Sequence, residues 1–233
     1  LYEKSPARVS VAGTVESIRH ITAQTLYDCH RAFYDPSNMV LCVVGNVDPQ
    51  QVSAIAREVL PQTGGNPIPR DYGAEESSAP AKRERSQTME VSMTQFLAGY
   101  KCDTPPDGVE QLRLGMIGDM ACDILFGDSS PLYSRLYEQG LINDTFGGNF
   151  DVLPGVAYLY VGGDSNDPHA VHAAVTAEAQ RLGQEGIDED FYQRIRRAAY
   201  GQMIRSLNSF ESIAISQAEG VFHGYDYFSF PEV

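Results

Sequence analysis

Between residues 22 and 34 apolar side chains recur at helical spacing, with Leu26, Cys29 and Phe33 on one face. Pro36 ends that pattern, because proline lacks a backbone donor and biases Asp35 away from helical angles. Residues 39–44, MVLCVV, are then continuously apolar and β-rich, bounded by Ser37-Asn38 and Gly45-Asn46. A run of that length and make-up predicts an interior strand covered on both faces. Asp48 caps the next helix, with Pro49 at its first position and Val52, Ile55, Ala56 and Val59 as its inner stripe. Ahead of all this, residues 1–12 read as irregular or extended, followed by a short helical turn at 15–19.

The second half repeats such signals over longer stretches. Met89, Val91 and Met93 alternate with polar residues before Phe96, Leu97 and Ala98 run together, which predicts a strand across 88–100 entering a core. Residues 109–126 read as a long helix with Leu112, Met116, Ile117, Met120, Ile124 and Leu125 on its stripe and Gly127 as its stop. Ser130-Pro131 opens a short helix reaching Gly140, and two strands, 145–151 and 156–164, flank Leu153-Pro154-Gly155 in a hairpin order. Helices begin again at Asp167-Pro168 and at Asp188, and a final one covers 211–222. Helices outnumber strands and the strands follow hairpin order, so the class is α+β, with mainly antiparallel sheets backed by helices.

Composition divides the chain. Residues 61–86 scatter Pro61, Gly64, Gly65, Pro67, Pro69, Gly73 and Pro80 among polar residues, the composition of a linker at a domain boundary. Charge divides it at the same place. Of 17 basic and 31 acidic residues, 9 and 10 precede Thr88, a balance of −1; the remaining 8 and 21 give −13, and the total is −14. That surface disfavours nucleic acid as a partner. No apolar run approaches the roughly 20 residues of a membrane helix. Cys29, Cys42, Cys102 and Cys122 form no C-x-x-C pair; Cys29 and Cys42 lie on apolar patterns, so buried free thiols in a reducing, cytoplasmic compartment are expected. The chain starts at Leu1 without a leader pattern and stops at Val233 without a closing element, and so reads as a piece cut from a longer protein.

Two words, GTVESIRHIT at 13–22 and FYDPSNMVLCVVGNVD at 33–48, resemble the insulinase/pitrilysin family of zinc peptidases, which includes the processing peptidases. The resemblance extends to the order of elements throughout the chain. It implies a two-domain peptidase-like repeat: 1–60 as the closing part of a first domain, 61–87 as linker and 88–233 as most of a second domain of the same type. The family's catalytic signature is His-x-x-Glu-His, in which two histidines ligate zinc and the glutamate activates water. The five histidines here, His20, His30, His169, His172 and His223, do not form it. The resemblance therefore assigns the zinc to an upstream portion of the parent protein, with no metal and no catalytic residue in this stretch. His169 and His172 are spaced to share a helix face beside Asp164 and Asp167, but no third firm ligand is spaced to close a site. There is also no G-x-S-x-G, no Ser-x-x-Lys and no phosphate-cradling glycine pattern; Gly147-Gly148 and Gly162-Gly163 read as flexible strand ends or bulges.

Residues 129–146, SSPLYSRLYEQGLINDTF, resemble the family segment in which an arginine and a tyrosine hold the substrate backbone opposite the zinc. Guanidinium and phenol donors suit that task, because they bind the carbonyl beside the scissile bond and steady developing negative charge. Alignment on Leu136 and Gly140-Leu141 puts Tyr137 at the arginine position and Asn143 at the tyrosine position. Arg135 points about 200° around the helix from Tyr137. Tyr137, Asn143 and Arg135 are the candidate substrate-binding residues, against the alternative of a packing helix that feeds a strand. Two functions follow from the resemblance. The first is the non-catalytic portion of a zinc metallopeptidase, giving scaffold and one wall of a peptide chamber. The alternative is part of an inactive homologue that binds peptide or stabilises a partner. Implied partners are a peptide or unfolded polypeptide and a homologous subunit or second copy.

Overall fold

The computed structural model describes residues 1–60, 65 and 69–232. The first region contains α1 (Val15–Arg19), α2 (Ala23–Phe33) and α3 (Pro49–Val59). Capping boxes open the first two: Thr14 and Ser17, then Thr22 and Thr25, exchange hydroxyl and backbone N–H bonds reciprocally. Asp48 accepts from the Gln50 N–H and Pro49 is the first residue of α3, as its sequence predicts. A short 3-10 turn, Pro36–Asn38, ends α2, with Asp35 accepting from the Ser37 N–H at 2.9 Å.

Residues 39–44 depart from expectation. They are extended but pair with no strand among the described residues, and Met39, Leu41 and Val43 are exposed while Val40, Cys42 and Val44 are half-buried. The apolar stripes of α2 and α3 are open in the same way: Leu26 is 61% exposed, and Phe33, Ile55 and Val59 are also exposed. Cys29 is exposed and Cys42 half-buried, both free thiols, so the expectation of burial fails for Cys29. The physical reason is common to all of them. Local pattern produces the elements, but an apolar face is buried only where another element covers it.

The second region has such cover. Strands β1 (Gln95–Cys102), β2 (Gly147–Leu153) and β3 (Val156–Asp164) form an antiparallel sheet in the order β1-β3-β2. The β2–β3 hairpin turns at Pro154-Gly155, where Gly155 has φ +77°. β1 begins later than the alternating residues suggest: 88–94 are outside the sheet and Met89 and Val91 are exposed. Helices α4 (Val109–Phe126), α5 (Pro131–Glu138) and α6 (Pro168–Glu185) cover one face. Phe126, Leu132, Leu136, Phe146, Val161 and Val171 are central to the core they enclose. Helices α7 (Glu189–Ser206) and α8 (Phe210–His223) complete the layer, α7 against α4, and a 3-10 segment, Tyr227–Glu232, follows.

Glycines set the close approaches. A Cβ on Gly118 of α4 would lie 2.1 Å from the Phe150 ring of β2, and one on Gly148 would lie 2.3 Å from the Phe126 ring. A Cβ on Gly162 would meet the Phe96 carbonyl oxygen at 2.6 Å, and Gly163 has φ +150° beside the Phe146 backbone. Gly148, Gly162 and Gly163 are therefore close-packing positions within the sheet, whereas Gly147 opens β2 with nothing near its Cβ position.

The connecting residues are not a free tether. Of those described, 75–81 lie against the outer sheet face, the one without helices. That face carries Leu97, Gly99 and Lys101 of β1, Tyr158 and Tyr160 of β3, and Asn149 and Asp151 of β2, by alternation with the core-facing residues.

Candidate functional site

Helix α5 is anchored at its first turn and along its apolar side. Ser130, fully buried, donates to the Leu125 carbonyl at 3.1 Å and accepts from the Tyr133 N–H at 3.0 Å, while Pro131 occupies the first helical position. Leu132 and Leu136, each 1% exposed, bury the inner side. Gly140, at φ +67°, ends the helix, and the chain passes through Leu141 and Ile142 into β2.

The three candidate residues on this frame do different things. Arg135 donates to the Glu178 carboxylate of α6 at 3.1 Å, and Arg181 donates to the other oxygen of the same carboxylate at 2.7 Å. Glu178 is only 5% exposed, and these guanidiniums, Arg181 first, hold its carboxyl below the usual range. Arg135 is thus committed to a half-buried ion cluster that ties α5 to α6. Asn143 accepts from the Thr145 N–H and hydroxyl at 3.0 and 2.6 Å and donates to Asp164 at 3.3 Å, so its amide shapes the turn into β2. Tyr137 is 55% exposed, with its ring stacked on Tyr133 at 5.8 Å. Of the three, Tyr137 has the side chain free to meet a ligand.

The two histidines at helical spacing go to separate partners: the His169 Nε2 lies 3.8 Å from Glu84, and His172 stacks on Tyr100 at 6.2 Å. Among the described residues no group of three His, Cys, Asp or Glu side chains could hold a metal ion.

A cleft of about 2000 Å³ opens between α4 and α7, and sequence reading missed it. Asp119 and Asp123 of α4 line it, with Tyr192, Arg196 and Tyr200 of α7 opposite. Burial raises the Asp119 carboxyl, and the charges of Asp123 and Asp151 raise it further; burial also raises Asp123. Between them on the helix Cys122 packs into the core, where burial pushes its thiol up to about 12. No motif marks this cleft: Met116, Ile117 and Met120, which line it, read in the sequence as part of the apolar stripe of the helix.

Comparison with known proteins decides the family. The peptidase M16 inactive domain matches residues 20–199. This chain belongs to the peptidase M16 family. The matched stretch contains α4, α5 and all three candidate residues. A relative named uncharacterised zinc protease YmfH, of Bacillus subtilis (strain 168), is 35% identical over 218 residues, covering 92% of this chain and 50% of that protein. The M16-like protein of Alicyclobacillus acidocaldarius superposes with a TM-score of 0.82 at 26% identity, over 95% of this chain and 53% of the other. A protease from Helicobacter pylori shares the fold at 19% identity, with a TM-score of 0.81 over 99% of this chain and 56% of the other. The chain thus spans about half the length of the relatives it matches. The resemblance drawn from residues 13–22 and 33–48 and the α+β class both hold.

Proposed function

We propose that this chain is the non-catalytic portion of a zinc-dependent metallopeptidase, supplying scaffold and one wall of the chamber in which a peptide is cut. The observation that carries the reading is the match of residues 20–199 to the M16 inactive domain, supported by the relative whose name is zinc protease. The zinc and its water-activating glutamate belong to the parent protein outside this stretch. Here the part of the outer sheet face left open is the wall, with exposed Leu97 and half-buried Tyr160 offering apolar and aromatic contact and exposed Asn149, whose amide also donates to Asp151, offering polar contact. Tyr137 is the substrate contact on α5, while Arg135 and Asn143 hold the segment in shape. Partners are a peptide or unfolded polypeptide and a homologous subunit or second copy; the four free thiols fit a cytoplasmic setting. No helix among the described residues is long and apolar enough to cross a membrane.

The test uses the protein at its full natural length beside this chain alone. The full-length protein is expected to carry one zinc and to cleave peptides, and this chain alone to do neither. In the full-length protein Tyr137→Ala should raise KM about fivefold with little change in kcat, the signature of lost ground-state binding. A full-length protein without zinc or peptidase activity sinks the peptidase reading in favour of a non-catalytic partner subunit. Stoichiometric zinc on this chain alone overturns the site assignment.

A further inference from the structure

The outer sheet face is crossed by a strap made of two segments far apart in sequence. The Glu76 carboxylate accepts three successive backbone N–H bonds, from Glu3 at 2.9 Å, from Lys4, and from Ser5 at 2.7 Å. Lys101, projecting from β1, lies 3.7 Å from the same carboxylate and donates to the carbonyls of Ser77 at 2.7 Å and Ala79 at 3.1 Å. Its ammonium also stands over the Tyr2 ring, 4.7 Å from the centroid. The Tyr2 hydroxyl donates to the Ala157 carbonyl at 3.1 Å, its ring meets Tyr158 edge-on, and the Leu1 side chain covers Gly99. The Ala81 N–H closes the strap on the Leu1 carbonyl at 2.9 Å.

Two features separate this cluster from an ordinary surface ion pair. The side chains of Glu76 and Lys101 are only 13% and 12% exposed, on a face that no helix covers. The cluster also fastens both ends of one long excursion, because 1–5 lead into the first region and 75–81 return from it. Among the described residues between them, Tyr72 also reaches the sheet beside Gly155 of the β2–β3 turn, and the cluster supplies the polar tie to β1.

We propose that Glu76, with Lys101, is the latch of a hinge: it binds residues 1–5 and 75–81 into one unit on β1, and its release frees the first region to swing relative to the sheet. Opening would also uncover Gly99 and Tyr158, enlarging the free outer face. The proposal goes beyond the chamber-wall reading and does not depend on it.

Amide hydrogen exchange on the intact chain tests it, with the Ala81 N–H as the decisive probe, since it bonds to Leu1 and not to Glu76. In Glu76→Ala, exchange at Ala81 and at residues 3–5 should rise together by about tenfold or more, while β3 amides keep their protection. Small-angle scattering should show a larger radius of gyration. If residues 3–5 alone speed up and Ala81 stays protected, Glu76 is a local cap and the latch is refuted. Should Glu76→Ala also lose β3 protection, Lys101→Met decides, because it leaves the carboxylate bonds to residues 3–5 available. Faster Ala81 exchange there supports the latch, and unchanged exchange overturns it.

Discussion

The first and second regions contain the same kinds of local signal and reach different ends. Both have side-chain-capped helices, apolar stripes and an apolar extended run. In the second, β1, β2 and β3 pair and helices cover them, so that Leu136 is 1% exposed. In the first, Leu41 of the apolar run stays 64% exposed. Capping and periodicity therefore specify elements, and non-local cover specifies a core. The caps contribute about 1 kcal/mol each, whereas a buried leucine contributes several-fold more through transfer and packing.

The sharpest way to break this comparison is to truncate a leucine in each region. Leu136→Ala should cost about 3 kcal/mol in denaturant unfolding of the second region, and Leu41→Ala no more than about 0.5 kcal/mol. Similar costs would mean that the first region has a buried core after all. Next in size is the Arg135 and Tyr137 pair, two residues apart on one helix. Arg135→Ala leaves Glu178 with Arg181 alone and should cost about 1.5 kcal/mol, while Tyr137→Ala should leave stability within about 0.5 kcal/mol. A reversed order would make Tyr137 a packing residue.

The smallest effect concerns the cleft between α4 and α7. The Asp119 carboxyl is raised above its ordinary 3.8 in the folded chain, so folding favours its protonated form. The stability it contributes is fully present below that ordinary value and is lost as pH rises through the folded one. Asp119→Asn should therefore raise Tm at neutral pH, on the order of 2 °C, with the gain vanishing below pH 3.8. Loss of Tm at neutral pH would mean the ionised carboxylate has a favourable partner in the cleft.

What was legible in the sequence follows the range of the interactions. Asp48, Ser130, Asp167 and Asp188 all cap as their positions suggest, because a cap needs only the next two or three backbone N–H groups. The opposed directions of Arg135 and Tyr137 were also legible, since helix geometry alone sets them. Glu178, the partner that commits Arg135, was not, because it lies 43 residues away on another helix. The strand at 39–44 was misjudged for a related reason: its composition says that it can be covered, not that anything covers it. The cleft was not legible because Met116, Ile117 and Met120 of α4 fit an apolar stripe equally well whether a helix or open space lies opposite.

The near-contact between Gly118 and Phe150 has one more consequence. With a hydrogen where any other residue has a carbon, α4 settles against β2 at a distance set by the face of a phenyl ring. Position 118 is thus a gauge for the thickness of the whole second region. A single methyl there would press on the Phe150 ring, itself part of the cleft lining, and act as a shim that lifts the helix carrying Asp119 and Asp123 and alters the width of the cleft.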